Sequence, residues 1–199
     1  MIRGRGRPAN EAASTRQKLL ETAARLFNSD GYFNTDTNKI ARAAGFAPAT
    51  FYRHFTDKKQ IFLEAYALWV AADWALIDDA LRAQIEPRAI AQAIVEGHSV
   101  HHRQWVQFRR SMHGLIATDP EARAFHLKIR AEQLGRMRAL LAATGAPERA
   151  KGDLLYSFLS IERSLNALTD GDLEALGIAR DEVVPRIENE IVFLLTGRH

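Results

Sequence analysis

Between Ile40 and Phe55 the chain reads Ile-Ala-Arg-Ala-Ala-Gly-Phe-Ala-Pro-Ala-Thr-Phe-Tyr-Arg-His-Phe, and no other stretch restricts its fold as tightly. Ile40, Ala41 and Ala44 place small apolar groups on one helical stripe, so another helix can approach closely. Thr35 or Asp36 can cap that helix, because a short side-chain oxygen accepts from the free N–H groups of an opening turn. Gly45 stands where a left-handed residue ends a helix at little cost. Pro48 suits the first turn of a second helix, where its missing N–H would be unbonded anyway. Phe51 and Phe55, four apart, can anchor the second helix, leaving Thr50, Tyr52, Arg53 and His54 to face outward. Two short helices around a glycine turn, the second carrying hydroxyls and cations, have the shape and chemistry of a helix-turn-helix that enters the major groove.

Two short helices cannot bury enough surface alone, so a supporting helix is expected on each side. Upstream, Leu19, Ala23, Leu26 and Phe27 recur at helical spacing within Thr15–Phe27, before Asp30-Gly31-Tyr32. Downstream, Asp57-Lys58-Lys59 opens a helix with Ile61, Phe62, Ala65, Tyr66 and Trp69 on one side.

From Thr15 to Tyr66 the chain resembles the TetR family of bacterial regulators. Leu20, Ala23, Leu26, Phe27, Gly31, Tyr32, Thr35, Ile40, Ala41, Ala44, Gly45, Thr50, Tyr52, His54, Phe55, Lys58 and Phe62 carry the likeness in order and spacing. Asp36 departs from the Ser or Thr common there and is better suited to capping than to touching phosphate; Ala47-Pro48 replaces a Ser-containing turn. The resemblance implies an all-α protein with a three-helix DNA-binding head and a larger helical body for effector binding and dimerisation. It implies that Tyr52, His54 and Lys58 clamp phosphates, with Thr35, Lys39 and Thr50 among the DNA-contacting set. Arg53 is the strongest base reader on chemical grounds, since a guanidinium can bond guanine O6 and N7 together.

Charge is distributed to match. Residues 1–60 hold 11 Lys/Arg and 5 Asp/Glu, a balance of +6, whereas the whole chain is +3, leaving −3 for residues 61–199. A basic head on a mildly acidic body fits a protein that meets a polyanion at one end. The expected organisation is a flexible basic arm over residues 1–10, a head over 11–56 and a body over 57–199. Arg3, Arg5 and Arg7 in the arm are expected in the minor groove, where the potential is most negative.

The rest reads as helix, with no convincing strand and no internal repeat. Helices are expected over 57–84, 88–101, 104–117, 120–143, 147–168 and 181–195, broken at Glu86-Pro87, Thr118-Asp119-Pro120, Thr144-Gly145-Ala146-Pro147 and Asp170-Gly171. Leu154, Phe158, Ile161, Leu165 and Leu168 step by 4, 3, 4 and 3; Val184, Ile187, Ile191 and Leu194 step by 3, 4 and 3. Such near-3.5 spacing favours nearly parallel or antiparallel packing. Both stripes are expected in a four-helix homodimer interface, as the family forms, because a two-fold operator in double-stranded DNA needs two readers.

Effector contacts are expected from Trp69, Trp74, His98, His102, Trp105, Phe108, Arg109, Met112 and Phe125, large or soft side chains with a few polar anchors. Within His98-x-x-His101-His102, positions 98 and 102 share a helical face, but no acidic residue is fixed in the spacing. The cluster is therefore read as solvated or hydrogen-bonded; no metal site and no cofactor are expected, with a His-based metal sensor as the alternative.

Catalysis finds no foothold: there is no Gly-x-Ser-x-Gly elbow, phosphate-cradling glycine loop or His-Glu-x-x-His helix. No Cys is present, which excludes disulfides and thiol chemistry and fits a reducing cytoplasm. No run approaching the roughly 18 apolar residues of a membrane helix is expected. The reading is a cytoplasmic DNA-binding regulator, a homodimeric repressor released by a small molecule, or alternatively a regulator with no such ligand.

Overall fold

A computed structural model describes residues 7–83 and 86–198, with side chains from residue 11 onward. Among the described residues there are helices and no strand: α1 (Arg7–Asp30), α2 (Thr37–Ala43), α3 (Pro48–Phe51), α4 (Lys58–Ala83), α5 (Pro87–Gln104), α6 (Val106–Thr118), α7 (Pro120–Ala143), α8 (Lys151–Asp170), α9 (Asp172–Leu176) and α10 (Arg180–Thr196). The expected breaks hold, and α9 is an addition, a single turn between Gly171 and Gly177, both with positive φ. The chain divides into two compact units, Met1–Val70 with Gln107–Arg123 and Ala71–Val106 with Ala124–His199.

The first unit is organised by aromatic packing. Phe62 of α4 is fully buried and meets Phe27 edge-on at 5.0 Å, Tyr32 at 4.9 Å and Phe108 at 5.1 Å. Phe108 and Met112, expected in an effector site, are instead fully buried core of this unit. Their spacing on α6 is that of any amphipathic helix, so spacing alone could not separate core from ligand contact. Gly31 turns the chain after α1 at φ +81°, and a Cβ there would lie 2.9 Å from Gln107 Nε2. The next residue, Tyr32, donates its N–H to Ser111 Oγ at 3.0 Å. Asp119 caps α7 by accepting from Glu121 and Ala122 N–H, each at 2.9 Å, and pairs with Lys59 at 3.0 Å. These bonds, that from Ala122 foremost, hold its carboxyl below the usual range.

In the second unit α5, α8 and α10 enclose Ala91, Val95, Leu165, Leu168, Leu173, Ile187 and Ile191, while Leu141, Leu154 and Leu194 form a smaller cluster. This bears on the residues expected at a dimer interface, not on the dimer itself; of them, Phe158 lines a cavity. Leu154, Leu165, Leu168, Ile187, Ile191 and Leu194 are buried inside their own chain, with Ile161 and Val184 packed against them. A 3.5-residue period says that two helices run side by side, not that they come from different chains.

Helix α4 is long and apolar enough to cross a membrane by length and composition alone, although Glu64 and Asp73 interrupt it and it holds no continuous apolar run of about 18 residues. Its apolar groups Ile61, Phe62, Leu63, Ala65, Tyr66, Val70 and Trp74 are core residues, and it carries Lys59, Glu64 and Asp73, so packing explains its hydropathy. Phe62→Ala should remove about 3–5 kcal/mol of stability, read from a denaturant-unfolding midpoint, because the surrounding rings cannot collapse into the gap.

Candidate nucleic-acid interface and effector cavity

The α2–α3 pair is fixed by local chemistry. Asp36 has extended backbone and accepts from Lys39 N–H at 2.8 Å, so it, and not Thr35, caps α2. At the other end Gly45 N–H donates to Arg42 O and Phe46 N–H to Ala41 O, both at 2.9 Å, with Gly45 at φ +81°. That pair of bonds is a Schellman closure, which ends α2 and aims the chain into α3. Pro48 occupies the first turn of α3 as expected. Asp57 accepts from Gln60 N–H at 2.8 Å while Gln60 Oε1 accepts from Thr56 N–H at 2.6 Å, so α4 begins as sharply.

Phe51 and Phe55 are 0% and 2% exposed, which turns the rest of their turn outward. Tyr52 is 59% exposed, Arg53 is exposed, and Thr50 and His54 are half-buried. The Tyr52 hydroxyl lies 2.9 Å from Thr37 Oγ1, bracing the end of α3 on α2. Lys39 is exposed and pairs with Asp30 at 2.6 Å. Lys58 is half-buried; its ammonium donates to Tyr32 O at 2.8 Å and sits 4.1 Å from the centre of that ring. Burial pulls its pKa below the usual lysine value.

Thr35 does not fit a DNA contact: it is 2% exposed, and its hydroxyl donates to Gly31 O at 2.9 Å. It secures the turn after α1 from inside. Arg3 and Arg5 lie outside the described residues; the backbone of Arg7 opens α1.

A cavity of about 120 Å³ lies in the second unit. Its walls are apolar, from Trp74, Ile77 and Leu81 of α4, Met137, Leu140 and Leu141 of α7, Phe158, Ile161 and Leu165 of α8, and Ile191, Leu194 and Leu195 of α10. Asp73, His98, Gln133, Thr144 and Glu162 add polar groups. Arg130 donates to Glu162 Oε1 at 2.7 Å and Oε2 at 2.6 Å, so that carboxylate is neutralised by a neighbour. Of the residues expected to meet an effector, Trp74 and His98 line this space, and His102 stacks on His98. Trp69, Trp105, Arg109 and Phe125 are not among its lining residues; Trp69 stacks on Tyr66 in the first unit.

Of the two states expected for the histidines, hydrogen-bonded and solvated, the structure has the first. His98 and His102 are 8% and 2% exposed, not solvated, and an acid does meet them. Asp73 of α4 places Oδ1 3.1 Å from His98 Nδ1 and 3.5 Å from His102 Nε2. His102 Nδ1 in turn lies 2.9 Å from Asn166 Oδ1. Burial pushes the Asp73 carboxyl up, but His98 and His102 outweigh it and hold the group well below the usual range. Asp73 had a legible signal: Phe62, Tyr66, Trp69 and Asp73 step by 4, 3 and 4, so a charge sits on the apolar stripe of α4.

Residues 19–65 match the family of bacterial regulatory proteins described as tetR. The chain is 43% identical over 58 residues to the HTH-type transcriptional regulator AcrR of Shigella flexneri, a match spanning 29% of this chain and only 27% of that protein. It is 24% identical to the HTH-type transcriptional regulator TcmR of Streptomyces glaucescens over 94% of this chain and 89% of that one. A solved TetR-family regulator from Rhodococcus superposes with a TM-score of 0.70 at 13% identity, over 92% of this chain and all of the other, which shows the fold. Asp36→Ala, which removes the α2 cap, should cost about 1 kcal/mol of stability in equilibrium unfolding while leaving the helical circular dichroism of the folded state unchanged.

Proposed function

We propose that this chain, whose residues 19–65 match the tetR family of bacterial regulatory proteins, acts in the cytoplasm as a homodimeric repressor released from a two-fold operator by a small, largely apolar molecule. The observation that carries the reading is the division of labour in and after α3: Phe51 and Phe55 face inward, and Tyr52 and Arg53 face solvent. Arg53 reads a base edge; Tyr52, Thr50, His54 and Lys39 contact the backbone. Lys58 adds a cation already held against Tyr32. Arg3 and Arg5 serve as the basic arm, and Arg7 adds a cation at the first turn of α1.

The effector occupies the apolar cavity, with Trp74 and Phe158 in its walls. Trp74 in the cavity wall and Lys58 belong to the same helix, α4. Release requires that the effector bind the non-operator arrangement better than the operator-bound one. For the dimer, the buried stripes are replaced by what α8 leaves outside: Leu155, Tyr156 and Leu159 are 39%, 72% and 44% exposed at adjoining helical positions. An apolar face of this kind on a core helix suits a second copy.

Duplexes selected from a random pool supply the test. Arg53→Ala should cost about 1–3 kcal/mol of discrimination at one operator position. Lys58→Ala should weaken all duplexes alike and lower the salt slope by about one. Equal losses on selected and scrambled duplexes in Arg53→Ala would defeat its base-reading role. Light scattering of Leu159→Glu should report monomers where the parent chain gives dimers. An apolar effector found by screening should both quench Trp74 fluorescence and lower operator affinity; binding to DNA that no screened compound alters would favour a regulator without a ligand.

A further inference from the structure

We propose that Asp73, His98 and His102 form a divalent transition-metal site in the second unit, with zinc as the ion their donors fit. The three come from two helices. His98 and His102 are one turn apart on α5, and Asp73 reaches them from α4. One donor atom from each lies within 4.8 Å of the others. The two distances to Asp73 Oδ1, 3.1 and 3.5 Å, bracket the edge of a tetrahedron with metal–ligand bonds of about 2.0–2.1 Å, which is roughly 3.3 Å.

Proton placement points the same way. His102 Nδ1 lies 2.9 Å from Asn166 Oδ1, and the neutral tautomer that carries its proton on Nδ1 donates there. In that tautomer His102 Nε2 presents its lone pair on the side of Asp73, where a divalent cation can bind both groups in place of a proton. A second-shell acceptor on the far ring nitrogen is the usual support of a metal-bound imidazole. The His98 and His102 rings are stacked at 28°, and loading the site requires them to splay further.

Ligand chemistry narrows the ion. Two imidazoles and one carboxylate suit zinc and its neighbours; calcium and magnesium need more oxygen ligands than are present. Three protein ligands leave a fourth position for water or an oxygen donor in the cavity that Asp73 and His98 line.

The test uses the full chain after chelator treatment, with zinc chloride titrated against a chromophoric chelator. One tight zinc per chain is expected. Asp73→Asn and His98→Gln should each weaken it by on the order of 100-fold, and Asn166→Ala by about 10–100-fold. His101→Gln, which leaves all three donors in place, should bind as the parent does. Cobalt loading should give the intense visible bands of a four-coordinate site. Long-range proton–nitrogen spectra of the parent chain cover the case of a misfolded variant: zinc should move His98 Nδ1 and His102 Nε2. No zinc uptake, uptake indifferent to Asp73→Asn and His98→Gln, or ring signals of these two residues unmoved by zinc would each overturn the site. Operator binding by the chelated chain is read separately, so loss of the metal proposal leaves the regulator reading standing.

Discussion

A helix of four residues has no stability of its own, because nucleating a turn costs more than its one or two hydrogen bonds return. Helix α3 exists because Phe51 and Phe55 are clamped in the first unit. Everything proposed for the DNA-facing surface depends on that clamp. The Schellman closure at Gly45 fixes where α3 begins, the Asp57 cap fixes where α4 resumes, and the Phe27–Tyr32–Phe62 cluster receives the anchored elements. Outward-facing side chains inherit their direction from buried ones.

This part of the molecule was legible in the sequence because its determinants are local. Caps, a left-handed glycine, a proline in a first turn and aromatic spacing act over four or five residues, and each acts here as its chemistry requires. Thr35 is the instructive exception. A threonine near a helix start satisfies either its own helix or the preceding turn, and its 2.9 Å bond to Gly31 O decides for the latter.

The second unit was legible as helices but not as surfaces. Periodicity identifies the apolar stripe of a helix without saying which neighbour covers it. Leu154 and Leu165 on α8 and Ile187 and Ile191 on α10 cover one another within the chain, and the face left over is marked by Leu155, Tyr156 and Leu159. Phe108 and Met112 were misplaced for the same reason. Asp73 shows the converse limit. Its spacing on α4 was visible, but its meeting with His98 depends on contact between residues 25 positions apart.

The inward and outward halves of the Phe51–Phe55 turn also bear on how such a protein diverges. Tyr52 and Arg53 make no part of the core, whereas their neighbours in sequence make much of it. Under the function proposed above, substitution at Arg53 alters what is read with little effect on whether the chain folds. On that proposal a lineage can drift from one binding sequence to another through viable intermediates, since the scaffold is insulated from the alphabet it presents.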